Sequence, residues 1–288
     1  MNCFVVANQN KGTILDRIAK EIQSANGGEV VYWPCLLPDA DTYIAMHYTI
    51  AYELVNLVKN VVCFFTHESS EINPYLLNQC KWIICENEPS LLLLKAKGIL
   101  ESKLQYIPEG GDSKLFTPHH RNPYGEILVC GTNYTNGRKN EPLLREVMNL
   151  LPNRQFKILG SNWTLPHNDA PYPNYPKLFE SCSIYLSCSK LEGGGPNSLI
   201  ESMHANLIPV VSDTGNARDY INHGHNGFIF PTDSKPEHIV ALINRAYKHE
   251  PMSIFPFVDI FKTVTHFTWE AYGKQWSEYL SPVQTSVA

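Results

Sequence analysis

The sequence has little net charge: 23 Lys and Arg stand against 28 Asp and Glu, −5 overall with histidines neutral. Without a basic excess no net field gathers a polyanion, which argues against nucleic acid as the main partner. No apolar run approaches the ~20 residues needed to span a bilayer, so at most peripheral membrane association is expected. The opening Met1-Asn2-Cys3-Phe4-Val5-Val6 lacks the basic and long apolar regions of a secretory signal and reads as a first strand. No C-x-x-C pair is present among the eight cysteines, which argues against a zinc knuckle or redox motif. Several lie in apolar stretches such as Val61-Val62-Cys63-Phe64-Phe65, where a free cysteine acts as a small hydrophobe. That usage points to a reducing, cytoplasmic compartment. The loop after the first strand, Asn8-Gln9-Asn10-Lys11-Gly12, has no G-x-G-x-x-G, which counts against a dinucleotide enzyme.

What is present is a rhythm of short apolar runs separated by helix-like stretches. The runs are Phe4 to Ala7, Glu29 to Trp33, Tyr43 to Met46, Val61 to Phe65, Trp82 to Cys85 and Leu104 to Ile107. Ile14 to Ile22, Ile50 to Val58 and Ser90 to Lys97 read as helices. Strands apolar throughout, rather than alternating, suit a parallel sheet covered on both faces, and repeated βα units imply an open α/β layer. The segments Pro108-Glu109-Gly110-Gly111-Asp112 and Pro118 to Pro123 read as a linker. The rhythm then restarts with Ile127 to Cys130, Phe156 to Leu159, Ile184 to Leu186, Pro209 to Val211 and Phe228 to Phe230. Two Rossmann-like α/β domains facing each other across a cleft are therefore expected, with ligand loops at the carboxyl ends of the strands.

The stretch from Ser187 to Glu201 leaves a strand, crosses Gly193, Gly194 and Gly195, and enters a helix with Pro196 at its first position, where proline's missing N–H costs nothing. The amides of Asn197, Ser198 and Leu199, reinforced by the helix dipole, suit a diphosphate, and the glycines allow close approach to the backbone. Glu201 shares a helix face with Asn197. A carboxylate beside a phosphate site is electrostatically awkward, which favours hydrogen bonds from sugar hydroxyls.

With Pro209-Val210-Val211, Ser212-Asp213-Thr214-Gly215-Asn216-Ala217-Arg218-Asp219 and Gly224-His225-Asn226-Gly227-Phe228 following in order, the sequence resembles the retaining, GT-B-fold glycosyltransferases of family 4 (glycosyl transferases group 1). That family carries E-G-x-x-x-x-x-x-E-A-M-A-x-G-x-P-V-V, S-x-x-G-G-x-x-E and G-x-x-G-F-L-x-x-P. Ile107-Pro108-Glu109-Gly110-Gly111-Asp112 through Phe116 and Pro118 resembles its I-P-N-G-V-D-x-x-x-F-x-P, and Phe267-Thr268-Trp269 its F-S-W. Departures are eight residues between Glu192 and Glu201 where the family has seven, Asn206 for a helix-end glycine, Asn216 for the second glycine of the pair, and Asp219 for a glutamate.

The resemblance implies an acceptor-side domain over 1–116, a nucleotide-sugar-binding domain over 117–268 and a helix over 269–288 crossing back to the first. It implies that Gly131 opens the diphosphate loop, with Lys139 and Arg138 (Thr132 holds the usual arginine position) neutralising the leaving group. Glu192 and the amides of the glycine turn would meet the donor sugar, Glu201 the ribose. In the first half His67 ends a strand and is expected to touch sugar or acceptor; for His47 function and structure are balanced. Asp39-Ala40-Asp41 matches the D-x-D of metal-dependent GT-A enzymes but precedes a strand, and reads as a turn.

The expected partners are thus a nucleotide-sugar donor and a glycan or other hydroxyl acceptor, with no metal and no cofactor beyond the donor. The implied activity is retaining glycosyl transfer in glycan or polysaccharide synthesis. A nucleotide-sugar epimerase of the same fold, or a degenerate sugar-nucleotide-binding subunit, are the alternatives.

Overall fold

A computed structural model describes residues 1–67, 71–122, 124–194, 197–248 and 259–280. The chain divides into two compact units, 1–110 with 269–288, and 111–268.

The first unit begins β1 (Asn2–Val6), α1 (Ile14–Asn26), β2 (Glu29–Tyr32), β3 (Thr42–Ala45) and α2 (Tyr48–Leu54). It continues with β4 (Val61–Phe65), α3 (Pro74–Leu77), β5 (Trp82–Cys85), α4 (Glu88–Ala96) and β6 (Leu104–Tyr106). Its six strands lie in the order β2-β1-β3-β4-β5-β6, all parallel. Both faces are covered, as runs without polar alternation require. Cys3, Val5, Ala45, Cys63 and Phe65 face the layer of α2, α3 and α4. Phe4, Val6, Ile44, Val62 and Phe64 face α1 and the last helix of the chain, Trp269–Leu280.

That last helix is held by packing. Trp269, Tyr272, Trp276 and Leu280 are buried, each contributing about 1.5–3 kcal/mol. Gly273 lets it approach α1 closely, since a Cβ there would lie 2.7 Å from that of Ala25. Asn26 Nδ2 donates to the Gly273 carbonyl at 2.7 Å.

Two helices start earlier than hydrophobic periodicity suggests, because polar caps set their ends. Asn87 Oδ1 accepts from Ser90 N at 2.7 Å and starts α4 at Glu88. His47 Nδ1 accepts from Thr49 N at 3.3 Å and starts α2 at Tyr48. α2 also stops at Leu54, short of Val58, where Asn56 Nδ2 donates to the Tyr52 carbonyl at 2.9 Å and competes with the helical pattern.

The second unit comprises β7 (Glu126–Cys130), α5 (Glu141–Leu150), β8 (Phe156–Leu159), α6 (Tyr175–Phe179), β9 (Cys182–Ser187) and α7 (Asn197–His204). It ends with β10 (Ile208–Ser212), α8 (Ala217–Tyr220), β11 (Phe228–Phe230) and α9 (Pro236–Lys248), so the helix Trp269–Leu280 is α10. Its sheet is parallel in the order β11-β10-β9-β7-β8. Asn206, standing where glycine is usual, adopts φ 73°, a conformation asparagine tolerates. Among the described residues no helix is long and apolar enough to cross a membrane.

Candidate active site

In the second unit β7 and β9 are neighbours, although β8 lies between them in sequence and outside them in space. The order in which strands are added therefore reverses at this pair, the switch point at which open α/β sheets hold ligands beyond the carboxyl ends of their strands. The residues expected to handle the donor stand on the loops after β7 and β9.

Gly131 ends β7 at φ +128°, a conformation that disfavours any side chain. Its carbonyl accepts from Trp163 Nε1 at 2.8 Å. The loop that follows is fastened from outside: Asn133 N donates to the Ser161 carbonyl at 2.9 Å, and Asn133 Nδ2 to Glu141 at 2.6 Å. Thr132, at the family's arginine position, lies 3.4 Å from the Ser161 hydroxyl. Lys190 N, on the β9 loop, donates to the Arg138 carbonyl at 2.7 Å and ties the two loops together.

These constraints bring Lys139 Nζ to 2.5 Å from Glu192 Oε1, with side-chain exposures of 8% and 4%. The Ser189 hydroxyl donates to the same oxygen at 2.5 Å and lies 3.2 Å from that of Ser187. A small cavity beside the pair is lined by Cys130, Lys139, Trp163, Ser187 and Ser189. Arg138 goes elsewhere: its guanidinium lies 3.8 Å over the Tyr134 ring. Of the two basic residues, the structure joins only Lys139 to Glu192.

The turn bearing Glu192, Gly193 and Gly194 is braced by the loop after β10. Asn216 N donates to the Gly194 carbonyl at 3.0 Å. Gly215 has φ +53°, and a Cβ there would sit 1.8 Å from that same carbonyl oxygen. The side chain of Asn216, fully buried, donates to the Tyr220 hydroxyl at 2.8 Å. Gly195 and Pro196 lie outside the described residues.

α7 begins at Asn197, so its positive dipole end points back toward this turn. Ser198 spends its hydroxyl on the core, 2.8 Å from that of Tyr185 and 3.3 Å from the Cys130 carbonyl, which leaves its backbone as the group a ligand would meet. Leu199 is buried. Glu201 is also buried, and its Oε1 accepts from the Tyr172 hydroxyl.

In the first unit β1 and β3 form the corresponding switch. His47, the cap of α2, follows β3, and His67 follows β4, the neighbouring strand. His47 Nδ1 lies 2.8 Å from the Thr49 hydroxyl and its ring stacks on Tyr48 at 4.6 Å. Burial, and secondarily the charge of His67, push the His47 imidazole down to about 4. His67 Nδ1 lies 2.9 Å from the Thr66 hydroxyl. Glu86, fully buried after β5, is raised well above the usual carboxylate range by burial and then by Glu109. Asp39-Ala40-Asp41 forms a turn ahead of β3, the Asp41 carbonyl accepting from Asn60 Nδ2 at 3.1 Å.

Sequence reasoning did not find Ser189, Tyr172 or the bracing role of Gly215 and Asn216. Ser189 stands three residues before Glu192 in the same loop and was open to discovery. Tyr172 carries no local signal.

Residues 121–253, most of the second unit, match the family model of glycosyl transferases group 1. Solved structures match almost the whole chain. HepE of Anabaena in complex with UDP and glucose is 12% identical, with a TM-score of 0.78 over 97% of this chain and 98% of that one. A sucrose-phosphate synthase from Thermosynechococcus elongatus is 11% identical, with a TM-score of 0.76 over 96% and 97%. A glycosyltransferase from Rickettsia africae is 14% identical, with a TM-score of 0.72 over 99% of each chain. No curated protein matches by sequence. The fold is GT-B, the two-sheet α/β fold of glycosyltransferases.

Proposed function

We propose that this protein is a retaining glycosyltransferase that moves a sugar from a nucleotide-sugar to the hydroxyl of a glycan or similar acceptor, without a metal. The observation that carries this reading is the buried Lys139–Glu192 pair at the β7/β9 switch point, in a unit that matches the glycosyl transferases group 1 model. The likeness in fold to HepE, whose solved complexes hold UDP and UDP-glucose, supports a nucleotide-sugar as donor.

In this reading the anomeric carbon–oxygen bond breaks and its electron pair passes to the diphosphate. Lys139 and the first-turn amides of α7 stabilise that charge where it develops. The sugar gains oxocarbenium character while Glu192 and the amides of Gly193 and Gly194 hold its hydroxyls. The acceptor oxygen attacks the same face and passes its proton to the departing diphosphate. Arg138 joins the phosphates only by leaving Tyr134. His67 contacts the sugar or the acceptor.

A thermal-shift panel of nucleotide-sugars identifies the donor, because ligand bound to the folded state raises apparent stability. Transfer is then measured with the selected donor and a panel of hydroxyl acceptors, with and without chelator, and the product's anomeric coupling is read by NMR. Transfer with retained configuration in chelator is expected. No stabilisation by any nucleotide-sugar refutes the reading; an inverted product, or activity restored only by a divalent cation, refutes its finer terms. Turnover of donor alone to an epimer reassigns the site to the epimerase class.

A further inference from the structure

The connection from β8 to β9 contains Pro171-Tyr172-Pro173-Asn174-Tyr175-Pro176. Three prolines in six residues restrict the backbone before any packing occurs. The segment forms a 3-10 turn over Tyr172–Asn174 that runs into α6. Its rings join an aromatic cluster: Tyr172 meets Phe116 edge-on at 5.9 Å and Tyr175 at 5.6 Å, and Phe116 meets Phe179 at 5.0 Å. The cluster aims the phenol of half-buried Tyr172 at the carboxylate of Glu201, 29 residues away on α7.

Glu201 is 2% exposed. A carboxylate so placed is costly unless hydrogen bonds satisfy it. A neutral phenol suits that need without cancelling the charge, as a lysine or arginine would. A carboxylate offers about four lone-pair sites, so accepting from the Tyr172 phenol is compatible with accepting from a vicinal diol as well.

We infer that Tyr172 is a positioning residue for nucleoside recognition: its hydroxyl holds the Glu201 carboxylate in the orientation that accepts the 2′- and 3′-hydroxyls of a donor's ribose. This inference rests on the glycosyltransferase reading above and adds to it a determinant of ribose over deoxyribose. A site built to accept a hydroxyl rejects the analogue lacking it, because the acceptor is left unpaired.

The test is calorimetry with UDP, ADP and GDP, followed by the 2′,3′-dideoxy form of the tightest binder, on the wild type and on Tyr172→Phe. The phenylalanine keeps the ring packing and removes only the donor. The wild type should prefer the ribonucleotide by about tenfold or more, as for charge-assisted hydrogen bonds. Tyr172→Phe should weaken ribonucleotide binding by about three- to tenfold and dideoxynucleotide binding by less than about twofold. A merely structural tyrosine would weaken both equally, or neither; either result overturns the inference and leaves the glycosyltransferase reading intact. Binding of none of the nucleotides by the folded wild type overturns both. Should that variant fail to fold, Tyr172→Leu carries the same comparison: a loss confined to ribonucleotide binding supports the inference, and an equal loss for both sugars, or equal wild-type affinity for them, overturns it.

Discussion

Lys139 Nζ meets Glu192 Oε1 at 2.5 Å in a site where both side chains are almost fully excluded from water. Coulombic attraction is strong in such surroundings, but so is the cost of desolvating each charge. A pair of this kind contributes little net stability while making each partner depend on the other. Ser189 donates to the same carboxylate oxygen, so Glu192 is oriented before any ligand arrives. A nucleotide-sugar phosphate would compete with Glu192 for the lysine, and donor hydroxyls would compete with the lysine for Glu192.

Lys139→Ala is accordingly expected to destabilise the protein by about 3–5 kcal/mol, the cost of stranding a buried charge, and to abolish most nucleoside-diphosphate affinity. Glu192→Gln should cost less stability and lower turnover more than affinity. The double variant Lys139→Ala/Glu192→Gln should be more stable than Lys139→Ala alone. Urea unfolding measures the coupling directly; simple additivity would mean that the two charges do not interact.

Gly215→Ala places a methyl group 1.8 Å from the Gly194 carbonyl oxygen, at φ +53°. The expected outcome is a shifted Glu192–Gly194 turn, a stability loss of about 1–3 kcal/mol, and a fall in both donor affinity and turnover. Gly137→Ala, with φ +71° but no atom within 4 Å of the added carbon, supplies the control for backbone strain alone. Equal donor affinity in the two variants would show that the brace does not matter.

His47 carries a folded-state imidazole pushed down to about 4 by burial and the charge of His67. Between about pH 4 and 6.5 the unfolded chain therefore binds more protons at this position than the native one. Stability from this group is complete above about pH 6.5 and is lost as pH falls through the window. His47→Asn keeps a side-chain cap for the Thr49 amide and removes the titration. Urea midpoints measured from pH 7 to 5 should fall less steeply for the variant than for the wild type.

All eight cysteines are free thiols, seven of them buried and Cys35 exposed. Burial raises Cys85 to about 12 and Cys188 to about 12, suppressing the thiolate that reacts. Ellman's reagent should modify one thiol in the native protein and eight in guanidinium. Cys35→Ser should remove the native reaction and leave the fold untouched.

The strands were largely legible because their signals are local, whereas the helix ends were set by polar caps that hydrophobic periodicity does not register. Among the described residues each of the eleven strands corresponds to an apolar run, and in the first unit runs without polar alternation sit in a sheet buried on both faces. Asn206 at φ 73° is likewise a residue's own backbone preference expressed in place. Where local polar bonds compete, as with Asn56 at the end of α2, periodicity alone overshoots.

By itself the sequence determined two runs of βα units and the ordered motifs from Glu192 to Phe228, because composition and short-range spacing act wherever the chain goes. Tertiary structure decided what those motifs do to one another. It put β7 beside β9, so that Lys139 and Glu192, 53 residues apart, share a buried site. It sent the neighbouring Arg138 to an aromatic ring instead. It also aimed Tyr172 at Glu201. The strength of a charge or a phenol depends on its partner and on the water around it, and both are set only when distant segments pack.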